Sequence, residues 1–227
     1  RLINPDILLD AETSSEGIEA SQSDVDFQVE AQSYEEKVNY GDMGPEFHSI
    51  LDICKKYSMT SIERMFAMYN SCLYIANNNI PGAIVECGVW RGGSIMCAIE
   101  TLKCLGDTSR HFYLYDTFDG LPKPDEKLDT DIMGNKAIDG WVKYQRGTQA
   151  SNFAYASLAD VKKNITKLKY PKDKIRYIKG MVENTIPNDV PDEISLLRLD
   201  TDFYSSTKHE LEHLYPRIVP GGVLIID

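Results

Sequence analysis

Five short apolar runs, held apart by helical patterns and polar loops, constrain this chain more than any other feature. They are Ala83-Ile84-Val85-Glu86-Cys87, His111-Phe112-Tyr113-Leu114-Tyr115-Asp116, Ile175-Arg176-Tyr177-Ile178, Ile194-Ser195-Leu196-Leu197-Arg198-Leu199 and Gly222-Val223-Leu224-Ile225-Ile226. Runs this short, rich in β-branched and aromatic residues, are of strand length. Between them the apolar period lengthens to that of helices over 92–105, from Ser157 to Leu168, and from the residues after Asp202 to Tyr215. Ser157 with Asp160 three residues on is a capping-box-like start. Strands alternating with helices require right-handed crossovers, so the expected fold is α/β, a mostly parallel sheet covered on both faces. Two helices precede it, over 45–54 and 61–78, and make an N-terminal helical cap of residues 41–80.

Ligands of such sheets bind beyond the carboxyl ends of the strands. The residues expected there are Glu86-Cys87-Gly88, Asp116, Lys179-Gly180, Asp200-Thr201-Asp202 and Asp227, and four of these five groups carry an acid. The turn after the first run, Gly88-Val89-Trp90-Arg91-Gly92-Gly93-Ser94, lets backbone approach a ligand and presents helix N–H groups to an anion. Its spacing is not that of dinucleotide binders, and Glu86 precedes it. An acid there suits a cofactor with a cationic amine, such as S-adenosylmethionine (SAM). Asp116, with Thr117 beside it, is placed to accept the ribose hydroxyls, and Gly180 closes the third strand end.

Residues 198–216 offer two metal readings. Asp200 and Asp202 form a hard-oxygen pair at a strand end, with Asp227 at the next, a set suited to Mg²⁺. His209-Glu210-Leu211-Glu212-His213 matches the zinc-hydrolase pattern His-Glu-x-x-His. The zinc reading lacks a third ligand downstream, and Pro216 closes the helix. The expectation is a crossover helix, with the motif a coincidence.

Composition narrows the classes. With 227 residues and 42% hydrophobic content, the chain can bury one substantial core with an appendage. No apolar run approaches the ~20 residues of a membrane span. Residues 1–40 hold −8 of the net −11 charge and read as an acidic arm or linker; the remainder is nearly balanced, without a basic stripe for nucleic acid. Five cysteines, odd in number and without Cys-x-x-Cys, fall in apolar patterns, which points to a reducing compartment, the cytosol. The chain ends on a strand and an acid, as an incomplete domain does; a non-catalytic domain of a larger biosynthetic protein is therefore a second reading.

Val85–Gly93, Tyr115–Pro122, Lys179–Pro187, Leu197–Thr207 and the Leu214–Asp227 stretch, in that order and spacing, resemble the macrocin-type (TylF-type) sugar O-methyltransferases over residues 45–227. The resemblance implies a Rossmann-like, class I SAM-dependent methyltransferase core over 81–227, a hydroxyl-bearing natural-product acceptor, Mg²⁺ and a homodimer. It assigns Asp200 and Asp227 to the metal and Asp202 to the general base, and it implies C-terminal strands and a second terminal acid that this chain lacks. Two further departures are Thr201, where the family often has glycine and a side chain would narrow the acceptor's approach, and a long 120–156 loop. Trp141, Tyr144, Phe153 and Tyr155 of that loop would either stack on an acceptor as a lid or pin the loop to the body.

Overall fold

The computed structural model describes residues 41–131 and 133–227; the acidic arm of 1–40 lies outside the described residues. Helix α1 (Pro45–Cys54) and helix α2 (Ile62–Asn77) lead into strand β1 (Ala83–Cys87), helix α3 (Gly93–Cys104) and strand β2 (Phe112–Asp116). The long loop is not featureless. It holds a short helix α4 (Ala137–Trp141) and a two-residue hairpin of β3 (Gln145–Arg146) with β4 (Ala150–Ser151). Helix α5 (Leu158–Thr166), strand β5 (Ile175–Lys179), the single turn α6 (Val182–Thr185), strand β6 (Ile194–Leu199), helix α7 (Tyr204–Leu214) and strand β7 (Ile218–Ile226) follow. The Ser157 hydroxyl accepts the Asp160 amide, so the cap read from the sequence starts α5.

Five strands form one sheet in the order β5-β2-β1-β6-β7, every pair parallel. Counted along the sheet's own strands, this is 3-2-1-4-5, the Rossmann-type order with its switch point between β1 and β6. The last strand begins four residues before the sequence pattern places it. Ile194 pairs with Ile218 and Leu196 with Val223, so the Pro-Gly-Gly that reads as a turn is a bulge inside an edge strand.

Side chains alternate across the sheet, and the two faces have different coverings. Ile84, Phe112, Leu114 and Leu196 pack beneath α1, α2, α3 and α5 with Phe47, Met65, Ile95 and Ile165. Val85, Cys87, Tyr115, Leu197 and Leu199 face the other way, onto Val182, Ile186 and Leu214. The N-terminal helices contribute Phe47, Ile50, Met65 and Met68 to the main core. All five cysteines are buried and free of disulfides. Among the described residues no helix is long and apolar enough to cross a membrane.

Candidate active site

Register alone brings the acids together. Glu86 sits opposite Arg198, and Arg198 opposite Ile225. Two residues further along their strands, Asp200 and Asp227 return to the same face, as does Asp116 two beyond Leu114. Glu86, Asp116, Arg198, Asp200 and Asp227 therefore share one side of the sheet at its carboxyl edge, the side covered by α2.

Arg198 is the hub. Only 3% exposed, it donates from Nη1 to Glu86 (2.9 Å) and from Nη2 to Asp200 (2.8 Å) and Asp227. Burial opposes its charge, yet Glu86, Asp200 and Asp227 together outweigh that and hold the guanidinium above its ordinary pKa. Asp227 is further held by Arg64 (2.6 Å) and the Thr60 hydroxyl (2.8 Å), both from the N-terminal helical region. Burial pushes the Glu86 carboxyl up to about 8 against the pull of Arg198. A folded-state pKa above the usual 4.5 means the native state keeps this proton longer than the unfolded chain does. Its stabilisation is full below about pH 4.5 and is lost as pH rises towards 8. Glu210, also pushed up to about 8, acts in parallel. Urea midpoints measured across that window should fall with pH, and Glu86→Gln should remove about half of the slope. An unchanged slope would place its origin elsewhere.

These groups face a cavity of about 550 Å³ at the carboxyl ends of the strands. Its wall includes Gly88, Gly93, Ser94, Asp116, Thr117, Gly180, Asp200, Asp202 and Asp227. Two expected cofactor contacts, Glu86 and Gly92, are not in that wall; Glu86 is 1% exposed and turned to Arg198. Two glycines here are forced by packing. A Cβ on Gly88 (φ +83°) would lie 1.9 Å from the Asp200 carbonyl oxygen, and one on Gly93 would lie 2.6 Å from the Tyr57 backbone. Gly88 lets the β1 and β6 loops cross, and Gly93 lets the loop before α2 enter the site.

Asp116 ties two strand ends to each other. Its Oδ2 accepts the Val89 and Trp90 amides (2.7 and 3.0 Å), its Oδ1 the Phe118 amide (2.6 Å) and the Thr117 hydroxyl. A ribose hydroxyl binding there has to share these acceptors.

Asp202 is the exposed member. Its φ is +66°, and the Phe203 amide donates across it to the Thr201 carbonyl (2.9 Å), closing a three-residue γ-turn. Although its outer edge is open to solvent, the cleft walls, and then the charges of Asp200 and Asp227, push its carboxyl up to about 6 against the pull of Arg198. The turn is anchored after Phe203 by Asp129 of the long loop, which accepts the Tyr204 amide (2.9 Å) and caps α7.

Sequence reasoning missed Arg198, Arg64 and Asp129. The signal for Arg198 was a lone cation in an apolar strand, which needs a buried counter-charge. The Thr201 hydroxyl turns to Glu210, while the residue itself is part of the cavity wall. In the long loop, Trp141 is a pin, 4% exposed with Nε1 donating to the Leu121 carbonyl (3.0 Å), whereas Phe153 lines the cavity. Tyr144 packs on Phe153, and Arg146 lies over the Tyr155 ring. In the His-Glu-x-x-His stretch the two rings lie 4.2 Å apart, His209 Nε2 is 3.0 Å from the Ile186 carbonyl, and Glu210 is buried on the sheet side. The motif is a crossover helix.

Among the described residues no three His, Cys, Asp or Glu side chains converge as a metal ligand set. Asp200 and Asp227 nonetheless share one cation, the Arg198 guanidinium, so their oxygens meet at a common point. Two carboxylates completed by water are a usual Mg²⁺ donor set, and in chemistry the residues fit that ion. A second cavity lies at the opposite ends of the strands, around Arg110, Asp107 and Glu193. There Arg110 is spent on Asp107, the Ile80 and Gly82 carbonyls and Ser195.

A 3-2-1-4-5 parallel sheet with a cleft over β1, β2 and β6 defines a class I methyltransferase fold. The solved structure of the O-methyltransferase NovP superimposes with a TM-score of 0.63 over 90% of this chain and 81% of that one, at 24% identity. The chain belongs to the macrocin O-methyltransferase (TylF) family, whose model matches residues 11–227 and so reaches into the acidic arm. It is similar to the 8-demethyl-8-(2,3-dimethoxy-alpha-L-rhamnosyl)-tetracenomycin-C 4'-O-methyltransferase of Streptomyces olivaceus, 30% identical over 171 residues, covering 75% of this chain and 62% of that protein. The mycinamicin III 3''-O-methyltransferase of Micromonospora griseorubida is 29% identical over 177 residues, 75% of this chain and 64% of that protein. The chain thus spans less than two thirds of the length of these relatives.

Proposed function

We propose that this chain transfers a methyl group from SAM to a sugar hydroxyl of a natural-product glycoside. The observation that carries the reading is the set of same-face acids around one cleft, with Asp202 open to it. Gly88, Gly93, Ser94, Asp116, Thr117 and Gly180 would surround the donor, and Glu86 would act on the site through Arg198. Asp202 takes the hydroxyl proton as the new O–C bond forms. The S–C bond breaks in line, and sulfur keeps the electron pair to leave S-adenosylhomocysteine. Asp200 and Asp227 would hold Mg²⁺, which when bound stabilises an alkoxide. The buried free thiols support a cytosolic setting, and the proposed assembly is a homodimer.

The test is methyl transfer to an aryl rhamnoside. We expect product that depends on SAM and is suppressed by chelation. A rate indifferent to chelator would remove the metal from the reading, and no transfer by a chain that also fails to bind S-adenosylhomocysteine would end it.

A further inference from the structure

Glu210 is a buried carboxyl that neither the donor site nor the proposed reaction uses. It is 0% exposed on α7, beneath the turn that presents Asp202. Its Oε1 accepts the Thr201 hydroxyl at 2.9 Å, and its Oε2 has no partner among the described residues. Thr201 is the residue before Asp202, and its carbonyl is the acceptor that closes the γ-turn. A non-glycine residue at φ +66° persists only where its surroundings hold it. On the far side of the turn that hold is Asp129 on the Tyr204 amide, with the Ser206 hydroxyl on the Phe203 carbonyl. On the near side the Thr201 side chain has one anchor, Glu210.

We propose that Glu210 is a positioning residue. Through the Thr201 hydroxyl it fixes the Asp200–Phe203 turn, and so keeps Asp202 in the cleft wall where a substrate hydroxyl must lie. This rests on the reading of Asp202 as the base. It also gives the His-Glu-x-x-His stretch a different meaning, because the glutamate works from the buried side of the helix while both histidines bond backbone carbonyls. Thr201 becomes the other half of the contact. A hydroxyl at 201 needs an acceptor beneath it, and Glu210 is that acceptor. Burial pushes the Glu210 carboxyl up to about 8, which favours its neutral form beneath the turn.

Thr201→Val deletes the hydroxyl at constant shape, and Thr201→Ser restores it; Glu210→Leu and Glu210→Gln form the matching pair. With the aryl rhamnoside and SAM, the valine and leucine variants should lose roughly 10- to 100-fold in kcat with donor KM unchanged. The serine and glutamine variants should stay within about threefold of the parent. If the glycoside is not a substrate, amide exchange at Phe203 reads the same turn, and it should be faster in Thr201→Val and normal in Thr201→Ser. Full kcat, or unchanged exchange, in Thr201→Val overturns the proposal. Were Asp202→Asn fully active, the base assignment would fall and this inference with it. Loss in Asp202→Asn beside an unaffected Thr201→Val would sink the inference alone.

Discussion

Asp202→Asn is expected to lower kcat by roughly 10²- to 10⁴-fold while leaving S-adenosylhomocysteine affinity unchanged. The substitution is chosen for its geometry. Asn accepts a positive φ as readily as Asp does, so the γ-turn at +66° survives and only the proton acceptor is lost. Asp202 is suited to the task because it alone of the strand-end acids near β6 has no guanidinium bound to it. Asp200 and Asp227 are both held by Arg198, and Asp227 also by Arg64. With a pKa of about 6, Asp202 is ionised at neutral pH, so kcat/KM should fall as the pH drops below about 6. In Asp202→Asn that acidic limb should vanish along with most of the rate. A variant with parental kcat would transfer the role of base to another group.

Arg198→Met should cost about 3–5 kcal/mol of stability, read from urea unfolding. The methionine fills much of the volume but leaves Asp200 and Asp227 without their common counter-charge and the buried Glu86 without its hydrogen-bond donor. Arg198→Lys should recover only part of the loss, since an ammonium cannot serve carboxylates on three strands with one planar fork. An Arg198→Met protein as stable as the parent would show that the acids hold their places without the hub.

Much of this was legible in the sequence because the central strands are buried on both faces. Runs such as Ala83–Cys87 and Ile194–Leu199 have no polar alternation to blur their ends, and both fall where the pattern puts them. The acids were legible for a related reason, since a carboxylate directly after an apolar run marks a strand's end. What was not legible depends on register. Nothing local says that Glu86 lies beside Arg198, so Glu86 reads as a donor ligand when its neighbour across the sheet claims it. The elements of the long loop escaped because two-residue strands and a five-residue helix carry no period. Asp129 escaped because its partner, the Tyr204 amide, is 75 residues away. The start of β7 escaped too, because the Pro-Gly-Gly within it has turn chemistry that is used as a bulge inside the edge strand.

The account turns on which end of the sheet takes the donor. A crystal structure of the protein with S-adenosylhomocysteine decides it. The predicted result places the ribose against Asp116 and the Gly88–Ser94 turn, with the sulfur facing Asp202 inside the cavity of about 550 Å³. The ligand in the Arg110 cavity at the other end of the strands, or no ligand bound at saturating concentration, would contradict it.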